Sequence, residues 1–258
     1  MDASDAAATA LKANAAVSRV EADQVRDVQA TPSDPEYSNQ WALTRIGWDQ
    51  AYGNVVPSGS AKVAVLDTGV DASHPDLSAN VVPGTSVLDG SNGETDPNGH
   101  GTWMAGIVAA GTDNGIGIAG VGYAGVSVMP VTVLGADGTG IDSDVISGVV
   151  YAADHGADVI LMSFSNPGFS PSLQDAIDYA WDNDVVVVAA TGNDGSSTPT
   201  FPAGDRGVVG VSNTDSLDAL APSSNYGDDT FLAAPGTGIE TTAPGNEYTS
   251  VTGTSPAA

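Results

Sequence analysis

The sequence predicts an α/β domain in which a mostly parallel central sheet is flanked by helices. Three observations carry this. Short runs rich in β-branched residues alternate with longer stretches whose apolar residues recur at helical spacing, the pattern of repeated βαβ units. All 32 glycines fall after residue 30, separating a glycine-free leader from a glycine-punctuated body. A chain of 258 residues with 41% hydrophobic content is long and apolar enough to bury one sizeable core.

Residues 1–30 are rich in Ala, Val and acids, and a compositional boundary falls near Thr31-Pro32. Beyond it, Ser38 is placed to cap a helix bearing Trp41, Ile46 and Trp48. Lys62 to Leu66 reads as a buried strand running into Asp67-Thr68-Gly69, which sets a carboxylate at a strand's C-terminal end. A strand from Val126 to Leu134 is followed by a helix from Ser143 to His155 with Val145, Ile146, Val149 and Val150 inward, and Gly156 suits its stop. Asp158 to Ser163 is the next strand. A helix from Ser172 to Asn183 shows Leu173, Ile177 and Trp181 on one face, and Val185 to Ala190 is again a buried strand. Shorter strands are expected near Val208 to Val211 and Phe231 to Ala234. Repeated βαβ units imply a parallel sheet with right-handed crossovers, and its ligands bind beyond the carboxyl ends of the strands. Asp67, Ser163 and Asn193 all fall there. With no repeat of domain-building length, the chain divides into residues 1–30 and one domain, 31–258.

Charge excludes two classes of partner. Thirty-two acidic residues face 6 basic ones, for a formal net charge of −26, so nucleic acid and anionic membranes are repelled. So few cations cannot neutralise the acids by ion pairing, and self-repulsion opposes the compact state until salt at about 1 M cuts the Debye length to ~3 Å. A halophilic or marine setting follows as an expectation. The absence of cysteine excludes disulfides, thiolate zinc sites and cysteine nucleophiles. No apolar run approaches the ~20 residues of a membrane helix, and residues 1–10 lack the cationic start and apolar core of a signal peptide.

Hydrolysis by a serine needs a base to take the hydroxyl proton, a carboxylate to orient that base, and donors for the oxyanion. The sequence offers three histidines. His74 precedes a proline in a turn, and His155 closes a helix, where an imidazole favours the dipole. His100, in Asn98-Gly99-His100-Gly101-Thr102, is flanked by glycines that permit close approach. Gly-Thr-Ser at 253–255 places a serine between small residues, with Pro256 suited to a first helical position. The Asp-Thr-Gly at 67–69 has no second copy, which speaks against an aspartic protease.

Taken together, VAVLDTGV, GHGTWMAGIVAA, VVVVAATGNDG and GTSPAA, in that order, resemble the four sequence blocks of the subtilisin-family serine proteases, from Pro32 to Ala258. The order Asp67, His100, Ser255 is also that of the family. The resemblance implies a subtilisin-like three-layer fold and a secreted, extracellular, monomeric endopeptidase acting on polypeptides. It makes Ser255 the nucleophile, His100 the general base, Asp67 its orienting carboxylate and Asn193 an oxyanion donor. Gly138-Thr139-Gly140 and Ser163-Phe164-Ser165 would hold an extended substrate by backbone pairing. Four positions depart from the family: Ser165-Asn166 stands where Gly-Gly is common, Thr191 where alanine is, and Trp103, one turn after His100, where histidine is. Asp194 is placed to attract a basic residue of the substrate.

The likeness further implies structural Ca²⁺, held by Asp34, Asp76, the Asn114 side chain and the carbonyls of Thr112, Ile116 and Ile118. Asp137, Asp142 and Asp144 lack EF-hand spacing, and helix capping accounts for Asp142. Ala15 to Asp23 is similar to the end of an inhibitory propeptide, which makes residues 1–30 its remnant, cut between Val28 and Pro32. The family continues beyond Ser255, so activity is expected of the chain completed through the helix that starts there. The competing readings are a noncatalytic subtilase-like scaffold and, on the same triad, an esterase or acyl transferase.

Overall fold

A computed structural model describes residues 3–20, 31–55 and 58–258. The elements run in the order α1 (Ala3–Lys12), a 3₁₀ turn (Tyr37–Asn39), α2 (Trp41–Arg45), α3 (Trp48–Ala51), β1 (Ala61–Asp67), β2 (Thr85–Ser86) and α4 (His100–Ala109). They continue with β3 (Val126–Thr132), α5 (Asp142–Asp154), β4 (Val159–Met162), α6 (Pro171–Asp182) and β5 (Val186–Ala190). The last are β6 (Val208–Thr214), β7 (Leu232–Pro235), β8 (Ile239–Ala243) and β9 (Glu247–Val251).

Seven strands form one sheet in the order β2-β3-β1-β4-β5-β6-β7, every pairing parallel. The expected α/β class and parallel sheet are therefore correct. Central strands are apolar on both sides because both faces are covered. Ala64, Leu66, Met129, Val131 and Ile160 pack with α5 and α6, whereas Val65, Val128 and Leu161 pack with α4. β1 lies between β3 and β4, and the chain passes to opposite sides of it, so its carboxyl end is a switch point where a cleft opens. Asp67 ends β1, Ser163 follows β4, and Asn193 lies shortly after β5.

Three readings differ from the structure, and one element is new. The expected single helix over Trp41 to Trp48 is two short ones, split where Gly47 takes a left-handed φ of 74° that a helix interior does not allow. Ser38 lies inside the 3₁₀ turn, and Gln40 is the cap of α2. Asp142 does not cap α5 either: Ile141 holds that position with no side-chain bond, and Asp142 with Asp144 occupies the first turn, where acids favour the dipole. The antiparallel hairpin β8–β9 was not anticipated. It lies against α4, where Thr242 Oγ1 donates to Thr102 O at 2.8 Å and Thr241 Oγ1 to Trp103 O. The expected cleavage interval at 28–30 and Glu21 to Asp23 fall outside the described residues.

Candidate active site

Asp67 is fully buried, and His100, the first residue of α4, faces it. The Nδ1 of His100 is 2.8 Å from both Asp67 oxygens, which assigns the proton to Nδ1 and leaves Nε2 toward the cleft. Burial alone would lower the imidazole's affinity for a proton. The hydrogen bond and charge of Asp67, with the charge of Asp96, outweigh it and hold His100 above the ordinary histidine value.

Ser255 stands in a turn in which Ala258 N–H donates to Thr254 O at 3.1 Å. Its hydroxyl donates to Ser163 O at 2.8 Å rather than to the imidazole, and Ser163 Oγ donates back to Ser255 O at 3.2 Å. The Asp67–His100 half of the constellation is thus made, while Ser255 is bonded to the strand-β4 side of the cleft.

Asn193 is exposed, and its Oδ1 accepts from Thr254 N–H at 2.8 Å and Thr254 Oγ1 at 3.3 Å. Because the oxygen is engaged, Nδ2 is the end left for an incoming ligand. The loop under it is held by Asn225, fully buried, whose Nδ2 donates to Thr191 O and whose Oδ1 accepts from Asp194 N–H and Ser196 N–H. Thr254 Oγ1 also accepts from Gly192 N–H at 3.0 Å. Sequence reading assigned no role to Thr254 or Asn225, although Thr254 stands inside a quoted motif.

Gly138 to Gly140 follow a turn at Ala136-Asp137 closed by Gly138 N–H donating to Gly135 O, with Gly135 N–H donating to Thr139 O and Thr139 N–H to Asp137 Oδ1. Ser165 and Asn166 are exposed. Asn166 pairs its backbone in both directions with Phe201, and the rings of Phe169 and Phe201 meet edge to face at 5.2 Å. Trp103 likewise meets the His100 ring edge on at 5.7 Å. Asp194 is exposed beside the oxyanion candidate.

Of the residues expected to hold calcium, Asp34, Asp76 and Asn114 share one hydrogen-bonded cluster, while the Thr112 hydroxyl bonds to Gly120 O. Asp34 and Asp76 are buried, 4% and 2% exposed. Burial pushes the Asp34 carboxyl up, the N–H groups of Asp113 and Asn114 offset this in part, and the Asp76 charge pushes it further. Asp34 accepts from those two N–H groups, at 2.7 and 3.1 Å. Asp76 accepts from Ile118 N–H at 3.1 Å and Tyr248 OH at 3.2 Å. The Asp76 charge thus acts on Asp34, and the loop presents the N–H groups of Asp113, Asn114 and Ile118 to the two carboxylates. Asn114 turns Nδ2 toward Asp76, at 2.8 Å, and its Oδ1 toward Ile116 N–H, so ligation by its oxygen requires the amide to turn over.

Comparison with known proteins gives the family. Residues 58–258 match the model of the Subtilase family, peptidase S8. The chain is 39% identical over 256 residues to the thermophilic serine proteinase of Bacillus sp. (strain AK1), covering 97% of this chain and 63% of that protein. It is 41% identical over 226 residues to thermitase of Thermoactinomyces vulgaris, covering 87% and 80% respectively. To subtilisin BL of Lederbergia lenta it is 38% identical over 215 residues, covering 83% and 78%. The parallel sheet, the paired Asp67 and His100 at its carboxyl edge and the family match over 58–258 lead to one assignment: the chain belongs to the subtilase family of serine proteases.

Proposed function

We propose that the protein is a secreted serine endopeptidase that cleaves polypeptides through Asp67, His100 and Ser255 by way of an acyl-enzyme. The observation that carries this reading is the contact of His100 Nδ1 with both Asp67 oxygens at 2.8 Å, on a buried carboxylate at a strand end. Ser255 Oγ leaves its bond to Ser163 O and gives its proton to His100 Nε2 as it attacks the scissile carbonyl. Asp67 keeps the tautomer and stabilises the imidazolium, which then protonates the leaving amine. Asn193 Nδ2 and the Ser255 N–H receive the developing oxyanion. Water repeats the sequence on the acyl-enzyme and frees Ser255.

Substrate enters extended, between Gly138-Thr139-Gly140 and Ser163-Phe164-Ser165, with Asn166 narrowing the pocket and Asp194 favouring a basic side chain. Calcium would be held by Asp34, Asp76 and the loop of Thr112, Asn114, Ile116 and Ile118, where its charge would join three chain segments. Residues 1–30 are the remnant of an inhibitory propeptide, residues 31–258 carry the catalytic domain, and the working form is a monomer adapted to high salt. Among the described residues no helix is long and apolar enough to cross a membrane.

The test is labelling of the full-length protein, in high salt with Ca²⁺, by a serine-directed fluorophosphonate, with the site mapped by mass spectrometry. Label on Ser255 that disappears in His100→Ala supports the triad. The Ser255–Ser163 bond favours a second reading, a noncatalytic peptide-binding scaffold with its serine turned away, and absence of label on folded protein selects it.

A further inference from the structure

His100 opens α4, and the residue in the capping position, Gly99, has no side chain with which to satisfy the free N–H groups of the first turn. A carboxylate from upstream does this instead. Asp96 Oδ2 accepts from Thr102 N–H at 2.8 Å and Thr102 Oγ1 at 2.7 Å. Asp96 Oδ1 accepts from Gly99 N–H at 2.8 Å, Asn98 N–H at 3.1 Å and Thr68 Oγ1 at 2.8 Å. Thr68 in turn accepts from Gly101 N–H at 3.1 Å, and its own N–H donates to Asp67 Oδ1 at 2.7 Å. One carboxylate therefore joins the start of the histidine helix to the strand end carrying the orienting aspartate.

The charge matters as well as the bonds. A helix N-terminus carries partial positive charge, so an imidazolium formed there is opposed by the dipole of its own helix. The charged groups acting on His100 are Asp67, at the end of β1, and Asp96, on the loop before α4.

We propose that Asp96 is a positioning residue of the hydrolytic reaction, fixing the His100 turn against the end of β1 and offsetting the positive end of α4 under the imidazolium. The inference rests on the triad reading above. It concerns how His100 is held and charged, not which groups touch substrate.

The test compares wild type, Asp96→Asn and Asp96→Glu in the full-length protein, with kcat, KM and the acid limb of the kcat profile on a peptide substrate, and with circular dichroism. Asp96→Asn keeps one acceptor oxygen and loses the charge. It is expected to lower kcat about fivefold at constant KM and to move the acid limb down by about half a pH unit, because the imidazolium loses a stabilising charge. Asp96→Glu keeps the charge but misplaces it relative to the amides, so kcat falls while the limb stays near that of wild type. A folded Asp96→Asn with unchanged kcat and limb overturns the proposal. If Asp96→Asn does not fold, wild-type kcat in Asp96→Glu overturns it. If wild type itself takes no fluorophosphonate label at Ser255, the triad reading fails and carries this inference with it, whereas a labelled wild type beside an unaffected Asp96→Asn refutes Asp96 alone.

Discussion

At the scale of single residues, a titration and a donor can be checked directly. His100 is held above the ordinary imidazole value, and the proposed mechanism needs it neutral, so activity is expected to fall as pH drops through that raised value. Asp67→Asn is expected to shift the remaining acid limb downward, measured as kcat against pH. The same group contributes to folding with a definite sign. A raised native value adds stability that is fully present below the unfolded value of about 6.5 and is lost as pH rises through the folded one. His100→Ala is therefore expected to lower the urea midpoint more near pH 5 than near pH 9. Asn193→Ala removes the proposed oxyanion donor, and steady-state kinetics should show kcat down about 10²- to 10³-fold with KM little changed, the loss that removing one such donor causes.

At the scale of elements, the seat of α4 on β8 is the joint on which His100 depends. A Cβ on Gly106 would lie 2.3 Å from Thr242 Oγ1 and 2.6 Å from Thr241 Oγ1, both in the strand that bonds back to the helix. Gly106→Val should force the hairpin away and cost about 3 kcal/mol, the upper part of the range for overpacking, read as a drop in the denaturation midpoint. The sequence made the buried strands legible, since parallel strands covered on both faces are short continuous apolar runs. It left α4 without bounds because Gly101 and Gly106 break the pattern and the helix has no polar face. The hairpin was missed because Thr241 and Thr242, although buried, are polar; the Pro244-Gly245-Asn246 turn was the available signal.

At the scale of the whole molecule, charge and one buried carboxyl set stability. A net charge of −26 makes compaction depend on screening, so refolding yield is expected to rise with NaCl toward about 1 M, where the Debye length is ~3 Å. A yield independent of salt would refute the halophilic reading. Asp205 is 5% exposed with neither oxygen hydrogen-bonded, and burial, reinforced by Asp142 and Asp178, pushes its carboxyl up to about 6. A carboxyl raised in the native state takes up more protons when folded, so stability falls as pH rises from about 4 to 6. Asp205→Asn is expected to raise the melting free energy by about 2 kcal/mol near pH 8 and by nothing near pH 4, measured by thermal denaturation.

The sequence by itself determined the α/β class and the placement of Asp67, Ser163 and Asn193 near strand ends, and its motif order proposed the set Asp67, His100 and Ser255. These are matters of residue type, period and order, which a chain carries without folding. Tertiary structure decided that Asp67 meets His100 through both oxygens, that Ser255 rests on Ser163, and that Asn193 is turned by Thr254 while Asn225 holds the loop beneath it. It also brought Asp96 under the histidine helix. Asp96 and Asn225 have no sequence pattern of their own, because a carboxylate or amide becomes a joint only when packing brings amide N–H and carbonyl groups within about 3 Å of it.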